Sequence, residues 1–400
     1  MNVRREGAAL LALALLATGS AWAALRLVPA SPSSPRLESR SQTNHGSGRL
    51  TGVVNPACTP ARRFTALRRG VGAFCLPPDA IRAIDHPRFA PSSSIRFLSP
   101  REPVLDLGLG SRPRAYPVRV LVWHEIVNDV VGGVPVAVTF CPLCNSGVAF
   151  QRSVQGRTLT FAVSGRLRNG NLVMFDRETE SLWEQLSGRA IQGSYEGTTL
   201  RMIPVQVLSF RNFRRAAPRG LVMTQRTGLG ADYGRDPYAG YGVDRNQPSV
   251  FLFGAPTDPR LPPKARVLGL LNGTKTAAVA YPAGPGRARV IEIRLGGRRV
   301  VVLLSYGIGQ PSTARSFAQS TRGWAGAAFL PRVRGRTVEL NRSPGGFVDG
   351  RTGSVFDLTG RAVSGPLAGA ILPRVPSVDA FWFAWSRFYP RSRVIDVRSG

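Results

Sequence analysis

The sequence predicts an α+β, β-rich protein built from two tandem copies of one mostly antiparallel unit, each ending in a helix and together forming a pseudo-symmetric pair. Three observations predict it. Blocks of sequence recur in the same order, short β-branched runs are broken by Gly turns, and the strand–helix alternation of a parallel doubly wound sheet is missing. The chain has 400 residues, 43% of them apolar, which exceeds what one hydrophobic core usually serves and is globular rather than disordered in composition.

The recurring blocks set the elements in order. Val104–Leu107 leads to Ala115-Tyr116-Pro117, and Val267–Leu270 leads to Ala280-Tyr281-Pro282. Glu125–Val131, Gly132-Gly133 and Val134–Phe140 read as strand, turn and strand, matched by Val290–Leu295, Gly296-Gly297 and Arg298–Leu304. Asp176–Trp183 pairs with Asp349–Phe356, and Gly188–Gly193 with Gly360–Gly365. Each unit closes on an aromatic, helix-like stretch, Phe210–Pro218 in the first and Phe381–Pro390 in the second.

The organisation that follows is a signal peptide over 1–23, a flexible Ser/Pro/Gly/Arg leader over 24–50, and an N-terminal extension over 51–101. The first repeat unit then covers 102–219, a Gly/Pro/Tyr-rich connector 220–264 and the second unit 265–400. Arg4 and Arg5, the apolar run Ala8–Ala17 and Ala21-Trp22-Ala23 carry the signal reading. It implies export to the periplasm or the extracellular space, or membrane anchoring if the segment is not cleaved. A short helix is expected near Pro78–Asp85. The connector is long enough to line a site as well as to join the units.

The net charge of +30 comes almost entirely from arginine, spread along the chain. No zinc-finger spacing, basic helix or RNA-binding signature accompanies it, so a nucleic-acid partner is not expected, and weak association with anionic cell-envelope surfaces is. No Ser-His-Asp elbow, Walker loop, dinucleotide fingerprint or HExxH occurs.

The repeat also sorts scaffold from chemistry. Cys141-Pro142-Leu143-Cys144 follows the second hairpin strand of the first unit, where the second unit has Ser305 and Ile308, so folding does not need the sulfurs. Such a pair can close a reducible disulfide, or it can bind copper or zinc. His124 is the candidate third ligand or helper, with Glu125, Asp129 or Asp176 to complete a set. A helix starting at Asn145-Ser146 would lower a thiol pKa. Asp176 recurs as Asp349 and reads as a turn or cap, while Trp183 reads as core. Ser164–Asn171 lacks a counterpart and reads as a turn insertion or a ligand contact. Cys58 and Cys75 could staple the extension.

Trp123–Asp129, the Gly pair and Thr139–Cys144, together with Phe161–Gly165, Asp176–Trp183 and Phe381–Trp385, resemble a bacterial exported family of unknown function, DUF3179, from about residue 80 onward. The resemblance implies His124, Glu125, Cys141 and Cys144 as the characteristic polar positions and no particular activity. Asn145 departs from it, since Gly is more usual there. The expected function is a metal-binding or thiol-redox site centred on Cys141 and Cys144. The alternative is a non-catalytic binding module for anionic or glycan ligands, and a hydrolase using His124 and Glu125 is a third reading.

Overall fold

The computed structural model describes residues 77–110, 112–247 and 256–397. The signal, the leader, Cys58 and Cys75 lie outside the described residues. In chain order the first half runs β1 (Phe89–Pro91), β2 (Pro103–Leu107), β3 (Arg114–Pro117), α1 (Val118–His124), β4 (Ile126–Val131), β5 (Val134–Cys141) and β6 (Ser146–Gln151). It continues with β7 (Ser153–Val154), β8 (Arg157–Thr158), β9 (Phe161–Arg168), β10 (Asn171–Asp176), β11 (Leu182–Glu184) and β12 (Ala190–Gln192), and closes with β13 (Met202–Ile203), β14 (Val205–Ser209), α2 (Phe210–Ala216) and β15 (Leu221–Met223).

The second half runs β16 (Arg266–Asn272), β17 (Lys275–Ala280), β18 (Arg289–Leu295), β19 (Arg298–Gly309), β20 (Arg322–Phe329), β21 (Arg332–Val333) and β22 (Arg336–Thr337). β23 (Leu340–Ser343), β24 (Gly346–Asp349), β25 (Val355–Phe356), β26 (Ala362–Ser364), β27 (Ser377–Phe381), α3 (Trp382–Phe388) and β28 (Arg393–Asp396) complete it. The described protein is therefore β-rich, with three short α-helices and mostly antiparallel sheets, as expected.

Apart from β1 and β13, which have no counterpart, strand order corresponds between the halves. β14, β2, β3 and β15 lie side by side in one sheet, as do β27, β16, β17 and β28 in another. In each, the last strand returns parallel to its neighbour. The three-stranded meander β4–β5–β6 has its like in β18–β19–β20, and the four-stranded β9–β12 in β23–β26. Gly132 and Gly133 turn the β4–β5 hairpin with φ of 57° and 80°, and Gly296 and Gly297 turn β18–β19 with 56° and 77°. A two-residue turn that follows the strand twist needs positive φ at both positions, and glycine adopts it without a Cβ clash.

Paired close approaches repeat as well. A Cβ on Gly188 would meet the Phe150 ring at 2.6 Å, and one on Gly360 the Phe329 ring at 2.5 Å. Trp183 and Phe356 are both fully buried. Asp176 accepts from the Thr179 amide and hydroxyl and from Trp183 Nε1 (2.8 Å), whereas Asp349 accepts from the Thr352 hydroxyl and the Glu339 amide. One apolar cluster runs across both halves, from Ile84 to Trp385. Arg374 pairs with Asp106 between them, and Gln206 Nε2 donates to the Leu358 carbonyl at 2.8 Å.

Three local expectations are corrected. Pro78–Asp85 is not helical: two prolines precede Asp79, whose φ is 62°, and Ile84 instead pairs with Val127 beside β4. No helix begins at Asn145-Ser146, because Ser146 pairs with Cys141 as the first residue of β6. The hairpin begins at Ile126 rather than Glu125, because α1 runs through His124 and Glu125 caps it. β15 also lies just beyond residue 219, yet it completes the first half's sheet. Among the described residues no helix is long and apolar enough to cross a membrane.

Candidate functional site

Cys141 is the last residue of β5, and Pro142–Asn145 is the loop to β6. The loop is a tight reverse turn, with the Cys144 amide on the Cys141 carbonyl (3.2 Å) and the Asn145 amide on the Pro142 carbonyl (3.3 Å). Asn145 has φ of 49°, a left-handed conformation that Asn tolerates better than most side chains, which explains how it can stand where Gly is more usual. Both cysteines are buried free thiols.

Other elements clamp this loop. The Phe381 amide at the end of β27 donates to the Cys144 carbonyl (2.8 Å), and the Tyr241 hydroxyl donates to the Leu143 carbonyl (3.0 Å). The Cys144 thiol donates to the Gly170 carbonyl (3.1 Å) in the β9–β10 turn. That hairpin is longer in the first half: β9 has 8 residues and β23 has 4. The Ser164–Asn171 insertion is thus mainly a strand extension, and it covers the sulfurs.

A buried polar network underlies the loop. Gln185 Nε2 donates to Thr139 Oγ1 (3.0 Å) and to the Ser146 carbonyl (3.1 Å), while its Oε1 accepts from Asn171 Nδ2 (2.8 Å) and Ser146 Oγ (3.1 Å). The matching places in the second half are apolar: Leu303 for Thr139, Ala325 for Ser146 and Leu358 for Gln185. Sequence reading passed over Thr139, Ser146 and Gln185. Polar residues aligned with apolar ones between the repeated blocks were the available signal.

The two sulfurs are not equivalent. Burial alone would raise the Cys141 pKa, but the neighbouring Cys144 side chain and donation from the amides of Leu172, Cys144 and Leu143 bring it below the ordinary thiol range. Burial, then the Cys141 sulfur, pushes the Cys144 thiol well up. Glu125 sits on the other side of Cys141. Together with Leu143, Arg166, Leu172 and Tyr238 the two line a cavity of about 30 Å³, room for about one water. Burial, and after it the Cys141 sulfur, holds the Glu125 carboxyl well above the usual carboxylate range, against a hydrogen bond with the Tyr238 hydroxyl. Tyr238 comes from the connector, so the connector does line the site. Glu125 caps α1 with its amide on the Leu121 carbonyl (2.7 Å) and has φ of 57°, a conformation that costs a non-Gly residue of order 1 kcal/mol.

His124 lies elsewhere. Its Nδ1 faces the Arg82 carbonyl (2.8 Å), which can only accept, so Nδ1 carries the proton and Nε2 accepts from the Tyr233 hydroxyl (2.7 Å). Burial lowers its pKa and keeps it neutral. With its one lone pair engaged, it is a poor candidate for a ligand or base. Asp129 is tied to Arg114 (2.5 Å) and the Tyr116 hydroxyl (2.6 Å), and Asp176 to its own turn. Among the described residues, no three His, Cys, Asp or Glu side chains form a group that could hold a metal ion.

Comparison with curated proteins and with solved structures gave no match. The family model described as "Protein of unknown function (DUF3179)" matches residues 78–392, which take in the cysteine loop, Glu125, the β9–β10 hairpin and the connector. The chain therefore belongs to the DUF3179 family.

Proposed function

We propose that the protein is an exported thiol-redox protein, in which Cys141 and Cys144 cycle between a dithiol and a disulfide and Glu125 carries the proton. A second part of the reading is that the chain is a duplicated unit, whose second copy keeps the scaffold without the site. The matching strand orders and glycine turns support the duplication. The observation that carries the redox reading is the Cys141 thiol, with Cys144 next to it in the same tight turn, sharing one cavity with the buried Glu125 carboxyl. A nucleophilic thiol and a carboxyl that burial holds protonated above its ordinary range are the parts that exchange with a disulfide requires.

The steps balance. The Cys141 thiolate attacks a substrate disulfide, forming a mixed disulfide and releasing one thiolate, which takes the proton of the Glu125 carboxyl. The Glu125 carboxylate then accepts the Cys144 proton. The Cys144 thiolate attacks the Cys141 sulfur, expels the second thiolate and leaves an intramolecular disulfide. That second thiolate recovers the proton from Glu125. Two electrons pass from the protein to the substrate. The cavity holds about one water, so the Gly165–Leu167 segment that walls it must shift to admit a disulfide.

The test uses the mature chain carrying Cys58→Ser and Cys75→Ser. Reduced protein should yield two titratable thiols after denaturation, and oxidised glutathione should remove both. Cys144→Ser should instead accumulate one glutathione adduct, on Cys141. If both thiols survive a large excess of oxidised glutathione in the native state, the redox reading is wrong.

A further inference from the structure

A second site lies in the other half. A cavity of about 220 Å³ opens between the connector, β17, β19 and β20, and no carboxylate is among its lining residues. Lys264, Arg266 and Arg322 supply positive charge to its wall, and Tyr306, Trp324 and Phe381 supply aromatic surface. This size suits a small molecule rather than a peptide.

Lys264 is the unexpected group. The chain has 53 basic residues, of which Lys264 and Lys275 alone are lysines. Lys264 is 3% exposed, and its ammonium donates to the Tyr241 carbonyl (2.9 Å) and lies 4.1 Å from the centre of that ring. Among the described residues no carboxylate forms an ion pair or hydrogen bond with it, and the only acidic influence on it is Asp244 at longer range. A buried ammonium without a directly bonded counter-ion is costly, and such groups persist where a ligand supplies the charge. Its neighbours have capacity to spare. Arg266 is held by Asp379 (3.0 Å), the Trp324 carbonyl (2.9 Å) and Gln310 Oε1, yet its Nε has no partner. Gln310 is 8% exposed, and its Nε2 donor is likewise unpartnered. Arg322 stands exposed at the rim. Tyr306 and Trp324 meet edge-on, with ring centres 5.5 Å apart, and leave aromatic surface to the cavity.

We propose that this cleft binds a small organic oxyanion, a carboxylate or phosphate carried on a planar ring, with Lys264 and Arg322 meeting the charge and Tyr306 and Trp324 the ring. Neither sulfur lines the cleft, although Asn145 and Phe381, which border the cysteine loop, do.

Titration calorimetry and tryptophan fluorescence on the full chain test this with phenyl phosphate, benzoate, inorganic phosphate and benzyl alcohol. Phenyl phosphate or benzoate should bind, and which is tighter identifies the oxyanion. Benzyl alcohol and inorganic phosphate should each bind at least about tenfold more weakly than the better of these, since each lacks one half of the recognition. Lys264→Met should weaken binding by about tenfold to a hundredfold, the usual worth of a hydrogen bond to a charged group. Arg322→Ala, at an exposed position that does not threaten folding, should weaken it less, in the same direction. The proposal is overturned if neither ring-bearing anion binds at millimolar concentration. It is equally overturned if the neutral alcohol or bare phosphate binds as tightly as they do, or if Arg322→Ala and a folded Lys264→Met both keep wild-type affinity.

Discussion

The two halves spend similar frameworks on different contents. Where β5 turns into β6, the first half has a tight loop with two sulfurs, a four-member polar network below it and a long β9–β10 hairpin above it. Where β19 leads to β20, the second half has Ser305 and Ile308 on a strand that simply continues to Gly309, over apolar Leu303, Ala325 and Leu358. The difference teaches that the sulfurs came with supports. Gln185, Thr139, Ser146 and Asn171 satisfy one another, and such a network is stable only when complete. The second half, free of that demand, holds a cationic aromatic cleft instead.

The shared framework makes the strongest prediction. Trp183→Ala and Phe356→Ala remove fully buried aromatic side chains from matching places and should each cost about 3–5 kcal/mol in urea unfolding. A large cost in one half and a negligible one in the other would break the structural comparison. The network should respond unequally. Gln185→Leu removes one partner each from Thr139, Ser146 and Asn171 and should cost about 1–3 kcal/mol. Leu358→Gln buries an amide with no network to receive it and should also destabilise, by about 1–3 kcal/mol. If Gln185→Leu were neutral or stabilising, the network would not support the thiol loop.

The remaining effects depend on pH and are smaller. The Glu125 carboxyl has a folded pKa above its ordinary 4.5, so the folded state holds a proton that the unfolded chain releases. Its contribution is full below pH 4.5 and is lost as pH rises through the folded value. Glu125→Gln should therefore flatten the decline of stability above pH 4.5 relative to wild type, measured by urea unfolding across pH. Identical slopes would place the carboxyl in water rather than in the cavity. Asp349 has the opposite sign. Burial alone would raise its pKa, but donors from Glu339, Thr352 and Arg351 hold it below 3.8, so its stabilisation is present above that value and fades as pH falls further. Asp349→Asn should lose that acid-limb dependence in the same measurement.

Much of this was legible in the residues. The Gly-Gly turns, the flanking β-branched runs and the ordered blocks were local patterns, and they located both hairpins and the terminal helices to within a few residues. The repeat-against-itself comparison picked out Cys141 and Cys144; Glu125 entered as one of three acids that could complete a set. His124 misled because adjacency in sequence is not adjacency in space: α1 ends at His124, and the positive φ of Glu125 turns the two side chains to different surroundings. Asn145-Ser146 misled because residues that can cap a helix can equally close a hairpin.

What the sequence determined by itself was everything fixed by short-range geometry: strand alternation, positive-φ turns and the sulfur spacing. The tertiary structure alone decided which distant groups meet. Tyr238 from the connector and Leu172 from β10 reach Cys141, the Phe381 amide reaches Cys144, and Lys264 is enclosed without a directly bonded acid. Those meetings depend on how sheets pack groups that lie far apart in the chain, and no local pattern encodes that distance.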